Sequence, residues 1–416
     1  MDLGIWQELY RHIQNPPLQD TVVGFNTNLD RIIPVTRELL DPSFLHDPDY
    51  PILSARLIQS MQHGTAEEWF ISELSHYNRF TRMFSSAGSL AIGGQAGIAA
   101  LHISGLGVRK VVCASPLHGP ESAGILNKAG VIVPEFTTGN NPAADYIHLV
   151  FEYAPGLVSL VSGVIPRNNR FIISPVHEPA SVLIPKPFME PFLAEIASCN
   201  RAFLSGYQYL RSEQDFATAA DQMYQMKNRN PSLRIHIESV SVTDNEVLNG
   251  LVRHILPAAD SFGLNEHELF ILLAHLNPSD PVNLGEKTFT PAENIQGALT
   301  LCRHVGLTRL HVHTFGYYIL VLHKNIADVT PSRNALLYAS REVACAAQGT
   351  GREISAEGIR ALGVAEEIFG KAASPGIFPA DDYVILVIPT LVAANIKRTS
   401  GLGDILSSTA FVADKF

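Results

Sequence analysis

Along most of the chain, short apolar, β-branched runs alternate with longer stretches whose apolar positions recur at helical spacing. Thr21–Phe25, Lys110–Ala114, Arg201–Ser205, Leu233–Glu238, Ser261–Leu264, Arg309–Thr314 and Tyr383–Pro389 read as strands covered on both faces. Between them, Gly97–Ile103, Gln214–Asn228, Glu266–His275, Pro291–Val305, Ala335–Ala347 and Asp404–Ala413 read as helices. That rhythm predicts a parallel, helix-covered α/β sheet. Two stretches interrupt it, Leu29–Leu90 and Asp145–Ile184, and the second holds three hairpin-like runs, His148–Tyr153, Leu157–Val164 and Arg170–Ser174. The expected organisation is therefore one large discontinuous domain, residues 1–28, 91–144 and 185–416, with a smaller β-rich lid built from 29–90 and 145–184.

Composition narrows the class. With 46% hydrophobic and only 17% charged residues, the chain buries a large core. A net charge of −10 argues against a broad nucleic-acid or anionic-lipid surface and leaves room for local basic pockets. Cys113, Cys199, Cys302 and Cys345 are scattered without a C-x-x-C pair, so they read as small core residues of a reducing compartment. The N-terminus lacks the basic start and apolar run of a secretory signal, and no stretch is apolar enough to span a bilayer. A cytoplasmic protein, monomeric or a small homo-oligomer, is expected, with small-molecule partners rather than nucleic acid or membrane.

In such sheets ligands bind beyond the carboxyl ends of the strands, and five polar segments fall at those ends. In Gly24-Phe-Asn-Thr-Asn-Leu-Asp30, Asn26, Asn28 and Asp30 share one face if the strand continues; they either hold sugar hydroxyls or build an Asx-rich turn. Gly93 and Gly94 open an apolar helix in Gly93-Gly-Gln-Ala-Gly97, allowing either close ligand approach or tight packing. In Arg234-Ile-His-Ile-Glu-Ser239, His236 and Glu238 fall on one face, where Glu238 meets a cation or ends an exposed strand. Asn265 with Glu268 spells a capping box at a strand-to-helix junction, and on the next strand His313 either touches a nucleotide or bonds within the core. The fifth segment is Thr399-Ser-Gly-Leu-Gly-Asp404, preceded by Lys397 and Arg398. Its glycines and the following helix start offer consecutive N–H groups to an anion, and Asp404 is placed to take a proton from an attacking hydroxyl.

Taken in order, these segments resemble the ADP-dependent sugar kinases, the glucokinase and phosphofructokinase group of the ribokinase-like superfamily. The resemblance covers nearly the whole chain: Asn-x-Asn-x-Asp at 26–30, Gly-Gly-Gln-Ala-Gly at 93–97, His-x-Glu at 236–238, Asn-x-x-Glu at 265–268 and Gly-x-Gly-Asp at 401–404. It implies a three-layer α/β/α domain with a mostly parallel sheet and a lid, and transfer of the β-phosphoryl of ADP to a sugar with magnesium present. By that resemblance Asp404 is the catalytic base, Gly401 to Gly403 the anion hole, and Glu238 and Glu268, with Asp404, organise the cation largely through water. Asn265, His313, Gly401, Leu402 and Gly403 would hold the nucleotide, and Asn28, Asp30, Glu68, Gly93, Gly94, Gln95 and Arg170 the sugar.

Sugar choice carries two signals. Glu68, in His63-Gly-Thr-Ala-Glu-Glu68, matches the glutamate of glucose-using members, while Arg167 and Arg170 suit the phosphate of fructose 6-phosphate. Arg170 alternatively forms an ion pair with Glu152. Ser400 departs from the valine usual in the family. The competing readings are an ATP-dependent ribokinase-type sugar kinase and a catalytically silent sugar or nucleotide sensor, the second disfavoured by the presence of Asp404.

Overall fold

The structure, a computed structural model, describes residues 3–41, 43–44, 47–64, 67–116, 119–134, 145–154, 165, 169–176, 182–277, 289–326, 328–394, 396 and 401–416. Sixteen strands are described. In chain order they are β1 Thr21–Gly24, β2 Asn28–Pro34, β3 Glu67–Ile71, β4 Ser89–Gly93, β5 Val111–Ala114, β6 Ile147–Tyr153, β7 Asn169–Pro175 and β8 Arg201–Leu204. There follow β9 Arg234–Glu238, β10 Ser261–Asn265, β11 Arg309–His313, β12 Tyr317–His323, β13 Thr350–Ile354, β14 Ile377–Ala380, β15 Tyr383–Pro389 and β16 Leu391–Ala394.

Nine strands form the main sheet in the order β14-β15-β12-β11-β10-β9-β8-β1-β5. From β5 to β11 every pairing is parallel, as expected for strands such as Val22–Val23 and Phe262–Leu264 that are buried on both faces. The expectation of a parallel sheet needs one correction: β12, β15 and β14 continue it in antiparallel pairings. β11 turns into β12 across only three residues, Thr314 to Gly316, which leaves no room for a crossover helix. The predicted helices form within a few residues of their expected bounds, including Glu266–Leu276, Pro291–Val305 and Leu402–Ala413. Cys345 is exposed, contrary to its reading as a core residue, whereas Cys113, Cys199 and Cys302 are buried.

A second sheet of five strands has the order β3-β7-β6-β2-β4, with its own apolar cluster around Leu57, Phe80, Phe151 and Phe171. The expected hairpin runs at 148–153 and 170–174 are β6 and β7 of this sheet, paired antiparallel. The third, Leu157–Val164, lies outside the described residues. The chain leaves the main sheet after Gly24, enters the second at Asn28, and returns after Gly93, so two of the five polar segments sit where the chain passes between sheets. No described helix is long and apolar enough to cross a membrane.

Candidate active site

The carboxyl ends of β9, β10 and β11 and the start of helix Leu402–Ala413 open onto one cleft of about 630 Å³. Into it project Glu238 from the end of β9, Asn265 from the end of β10, Glu268 from the next helix turn and His313 from β11. Gly401, Leu402, Gly403 and Asp404 form another wall, and Gln95 and Arg170 reach it from the side of the second sheet. Gln95 is fixed there by donating from Nε2 to the Ser239 carbonyl at 2.8 Å.

Local chemistry explains each placement. Gly401 adopts φ +71°, a left-handed conformation that glycine takes at little cost, and the helix begins directly after it. The N–H groups of that first turn have no acceptor within the helix, and with its dipole they make a place for an anion beside Asp404. Gly403 packs on His313, where a β-carbon would lie 3.2 Å from Nε2. Burial pushes the His313 imidazole down to about 4, so it meets a ligand as a neutral ring.

Asn265 and Glu268 form the expected capping box: the Glu268 N–H donates to Asn265 Oδ1 at 2.9 Å, and the Asn265 N–H donates to Glu268 Oε2 at 3.0 Å. Ser241 adds a donor to Glu268 Oε1 at 3.4 Å. Burial, reinforced by Asp404 and Glu266, lifts the Glu268 carboxyl to about 7 despite those bonds. Glu238 is pushed well above the ordinary carboxylate range by burial and by the negative charges of Asp404 and Glu268. It is not an exposed strand end, being only 5% exposed, and Oε2 bonds His236 Nε2 at 3.0 Å. Gly263 on the neighbouring strand is required there, since a β-carbon would come within 2.2 Å of Glu238 Oε2.

Behind Glu238 a chain of buried bonds continues: His236 Nδ1 to Ser261 Oγ at 2.7 Å, Arg309 Nη1 to Ser261 Oγ at 3.0 Å, and Arg309 Nε to Asp414 Oδ2 at 3.0 Å. Ser332 donates to the other Asp414 oxygen at 2.7 Å. His236 and Glu238 were legible in the sequence, whereas Arg309, Ser332 and Asp414 carry no motif.

The remaining residues gather on the second sheet. Asn28 Nδ2 donates to Asp30 Oδ1 at 2.6 Å, as two positions on one face of a strand require. Asn26 does not join them, because the strand begins at Asn28; its side chain bonds Tyr209 instead, and its buried Oδ1 has no partner among the described residues. Asn28 lies opposite Gly93 in the β2–β4 register. A β-carbon on Gly93 would come within 2.2 Å of Asp30 Oδ1, and one on Gly94 within 2.4 Å of the Asn26 carbonyl. Asp30 is raised to about 6, chiefly by burial, with the Asn28 bond and Arg170 pulling it back. Glu68, on β3, is raised by burial and held by the Ser174 hydroxyl. Arg170 faces Glu152 across the β6–β7 register, but the alternative reading of an ion pair between them is not borne out; Arg170 lines the cleft. Arg167, Lys397, Arg398 and Ser400 lie outside the described residues. The sequence reading passed over Phe315, 70% exposed on the rim, and Tyr318 and Thr390 in the walls, all on or beside the antiparallel strands.

Three carboxylates, Glu238, Glu268 and Asp404, thus act on one another in one cleft, a donor set suited to a hydrated divalent cation. Among the described residues no three His, Cys, Asp or Glu side chains converge closely enough to chelate a metal directly.

A mostly parallel α/β sheet whose strand ends hold acidic residues beside a glycine-lined helix start is suited to phosphoryl transfer. Residues 19–413 match the conserved region of the ADP-specific phosphofructokinase/glucokinase family, and the chain belongs to that family. It is 27% identical to an ADP-dependent glucose/glucosamine kinase of Pyrococcus furiosus, the match covering 98% of each chain. It is also 27% identical to an ADP-specific phosphofructokinase of Methanosarcina acetivorans, over 99% of this chain and 98% of that one. A solved ADP-dependent kinase in complex with fructose-6-phosphate and ADPbetaS shares the fold at TM-score 0.79 and 23% identity, covering 99% of this chain and 98% of that one.

Proposed function

We propose that the protein transfers the β-phosphoryl group of ADP to a hydroxyl of fructose 6-phosphate, glucose or both, leaving AMP. The observation that carries this reading is the placement of Asp404 in one cleft with Glu238, Glu268, Asn265 and Arg170, on the first turn of a helix whose N–H groups face the same space. In this mechanism the sugar hydroxyl gives its proton to Asp404 as its oxygen bonds the β-phosphorus, and the bridging bond to the α-phosphate breaks. The N–H groups of Gly401 to Gly403 hold the charge on the transferring group. Glu238 and Glu268 would hold magnesium through water, supplying positive charge beside the phosphates. Asn265 and His313 border the nucleotide; Asn28 and Asp30, with Gly93, Gly94 and Gln95, border the sugar.

Segments 29–90 and 145–184 act as a lid that closes over the sugar and excludes water, which would otherwise take the phosphoryl group. Arg170, which makes no ion pair at contact distance among the described residues, suits a sugar phosphate, and Glu68, buried and held by Ser174, suits a neutral hydroxyl. Both are present, which favours dual acceptor use. Three buried cysteines without disulfides accord with work in the cytoplasm.

The test is a panel of ADP and ATP, each with glucose and with fructose 6-phosphate, read by product analysis. AMP and sugar phosphate are expected with ADP. Faster turnover with ATP would refute the donor assignment, and binding of both ligands without turnover would leave a sensor.

Two further outcomes follow. Gly93→Ala drives a methyl group into the Asn28–Asp30 pair, so the sugar KM is expected to rise about tenfold or more, as when polar groups built for a hydroxyl are displaced. AMP affinity should stay unchanged, and an unaltered sugar KM would remove the pair from the acceptor site.

The second concerns pH. Glu268 has a raised folded pKa, so without metal its stabilising contribution is fully present below the ordinary carboxylate value near 4.3 and is lost as pH rises through about 7. His313 acts oppositely, losing stability as pH falls from its ordinary value through about 4. The difference between wild type and Glu268→Gln isolates the glutamate. The magnesium-induced rise in Tm should therefore be larger at pH 8 than at pH 5.5, and smaller at pH 8 in Glu268→Gln. A magnesium effect independent of pH and of this substitution would exclude Glu268 from cation binding.

A further inference from the structure

A second cleft, of about 730 Å³, lies away from the catalytic one, between the N-terminal helix Leu3–Arg11 with the segment after it and the helix Thr330–Ala346. Its wall is largely apolar, with Ile5, Leu9, Ile13 and Leu337 facing the space. Set into that wall are the cationic side chains of Arg333 and Lys415 and the imidazole of His12. The lining carboxylate, Glu8, is already engaged by Arg11 and His12.

Arg333 is the informative residue. It is only 9% exposed, Nη1 donates to Ser374 Oγ at 3.0 Å, and Nε, shut away from solvent, has no hydrogen-bond partner among the described residues. Asp328 acts on it only at a distance, and the guanidinium makes no ion pair among the described residues. Burying a guanidinium without a counter-charge is costly, and native proteins seldom leave such a donor set unmatched. An anion in the cleft would supply that counter-charge.

We propose that this cleft binds a small organic phosphate, its anionic head on Arg333 and Lys415 and its apolar body against Ile5, Leu9 and Leu337. A phosphate suits the site because its several acceptor oxygens meet the planar guanidinium and a flexible ammonium together. The volume suits a metabolite-sized ligand. The cleft is also well placed to be felt at the catalytic one. Helix Thr330–Ala346 gives Arg333 to this cleft and Val343 and Ala344 to the catalytic cleft. Helix Leu402–Ala413, 12 residues long, starts beside Asp404 and ends at Ala413 in the second cleft. Ser332, next to Arg333, begins the buried chain that runs through Asp414 and Arg309 to Glu238.

Calorimetric titration with phenyl phosphate, in saturating adenosine and glucose so that the catalytic cleft is occupied without a competing phosphate, tests the proposal. One site is expected in wild type and equally in Asp404→Ala. Arg333→Gln should weaken it about tenfold or more, as loss of a charge-assisted pair does, and Lys415→Gln by a smaller factor. Asn334→Trp, which fills the cleft from an exposed position, should abolish binding, and it decides the matter if Arg333→Gln does not fold. No binding in wild type, or binding indifferent to Asn334→Trp, overturns the proposal. Because the readout is binding at a separate cleft, it stands or falls independently of the donor and acceptor panel.

Discussion

Asp404→Ala is expected to lower kcat by roughly a thousandfold or more while AMP and sugar affinities change little. The substitution removes the proton acceptor but leaves the glycine N–H groups, the helix start and the second-sheet residues in place. It also removes one of the charges that hold Glu238 and Glu268 above the ordinary carboxylate range, so both should ionise more readily in the variant. Their easier ionisation offsets part of the negative charge that a cation loses with Asp404, and the nucleotide keeps its N–H donors. Asp404→Asn, which keeps the shape without the basicity, should be as slow as the alanine variant. Steady-state rates and calorimetric binding on the same preparations separate the two effects. If turnover survives either change, the base lies elsewhere in the cleft.

Much of this site was legible in the sequence because its chemistry is local. Asn265 and Glu268 meet across one helical turn, Asn28 and Asp30 across one strand repeat, and Gly401 needs only its own φ. Each follows from a fixed period, so spacing alone places the residues together. Strand β12 escaped for the opposite reason. Its run Tyr317–His323 is as apolar as the parallel strands, but it follows β11 by three residues and breaks the alternation that identified the others. Arg170 was read with Glu152 as its alternative partner, and cross-strand register does bring them opposite. Where a long side chain points from that register depends on the cleft beside it, and no residue pattern encodes that. Asp414 and Arg309 are harder still, separated by 105 positions and joined only because the last helix packs on the sheet.

That pair carries the second large effect. Both residues are 0% exposed, and Arg309 also lies over the Phe416 ring, 5.3 Å from its centroid. Asp414→Leu leaves the Arg309 guanidinium buried without its counter-charge and should destabilise the fold by about 3–5 kcal/mol, the usual cost of breaking such a pair from one side. Arg309→Met should cost less, because Asp414 keeps the Ser332 hydroxyl and the nearby Arg201 charge. The double variant Arg309→Met/Asp414→Leu should recover part of the loss, because two apolar groups need no partners in that interior. Denaturant midpoints at constant m-value measure all three. The same substitutions reach the active site, since Arg309 orients Ser261, Ser261 orients His236, and His236 holds Glu238. Losing Arg309 lets Glu238 move, so the double variant, even where stable, should need more magnesium for half-maximal rate than wild type. Stability restored together with an unchanged magnesium requirement would confine this buried chain to a purely structural role.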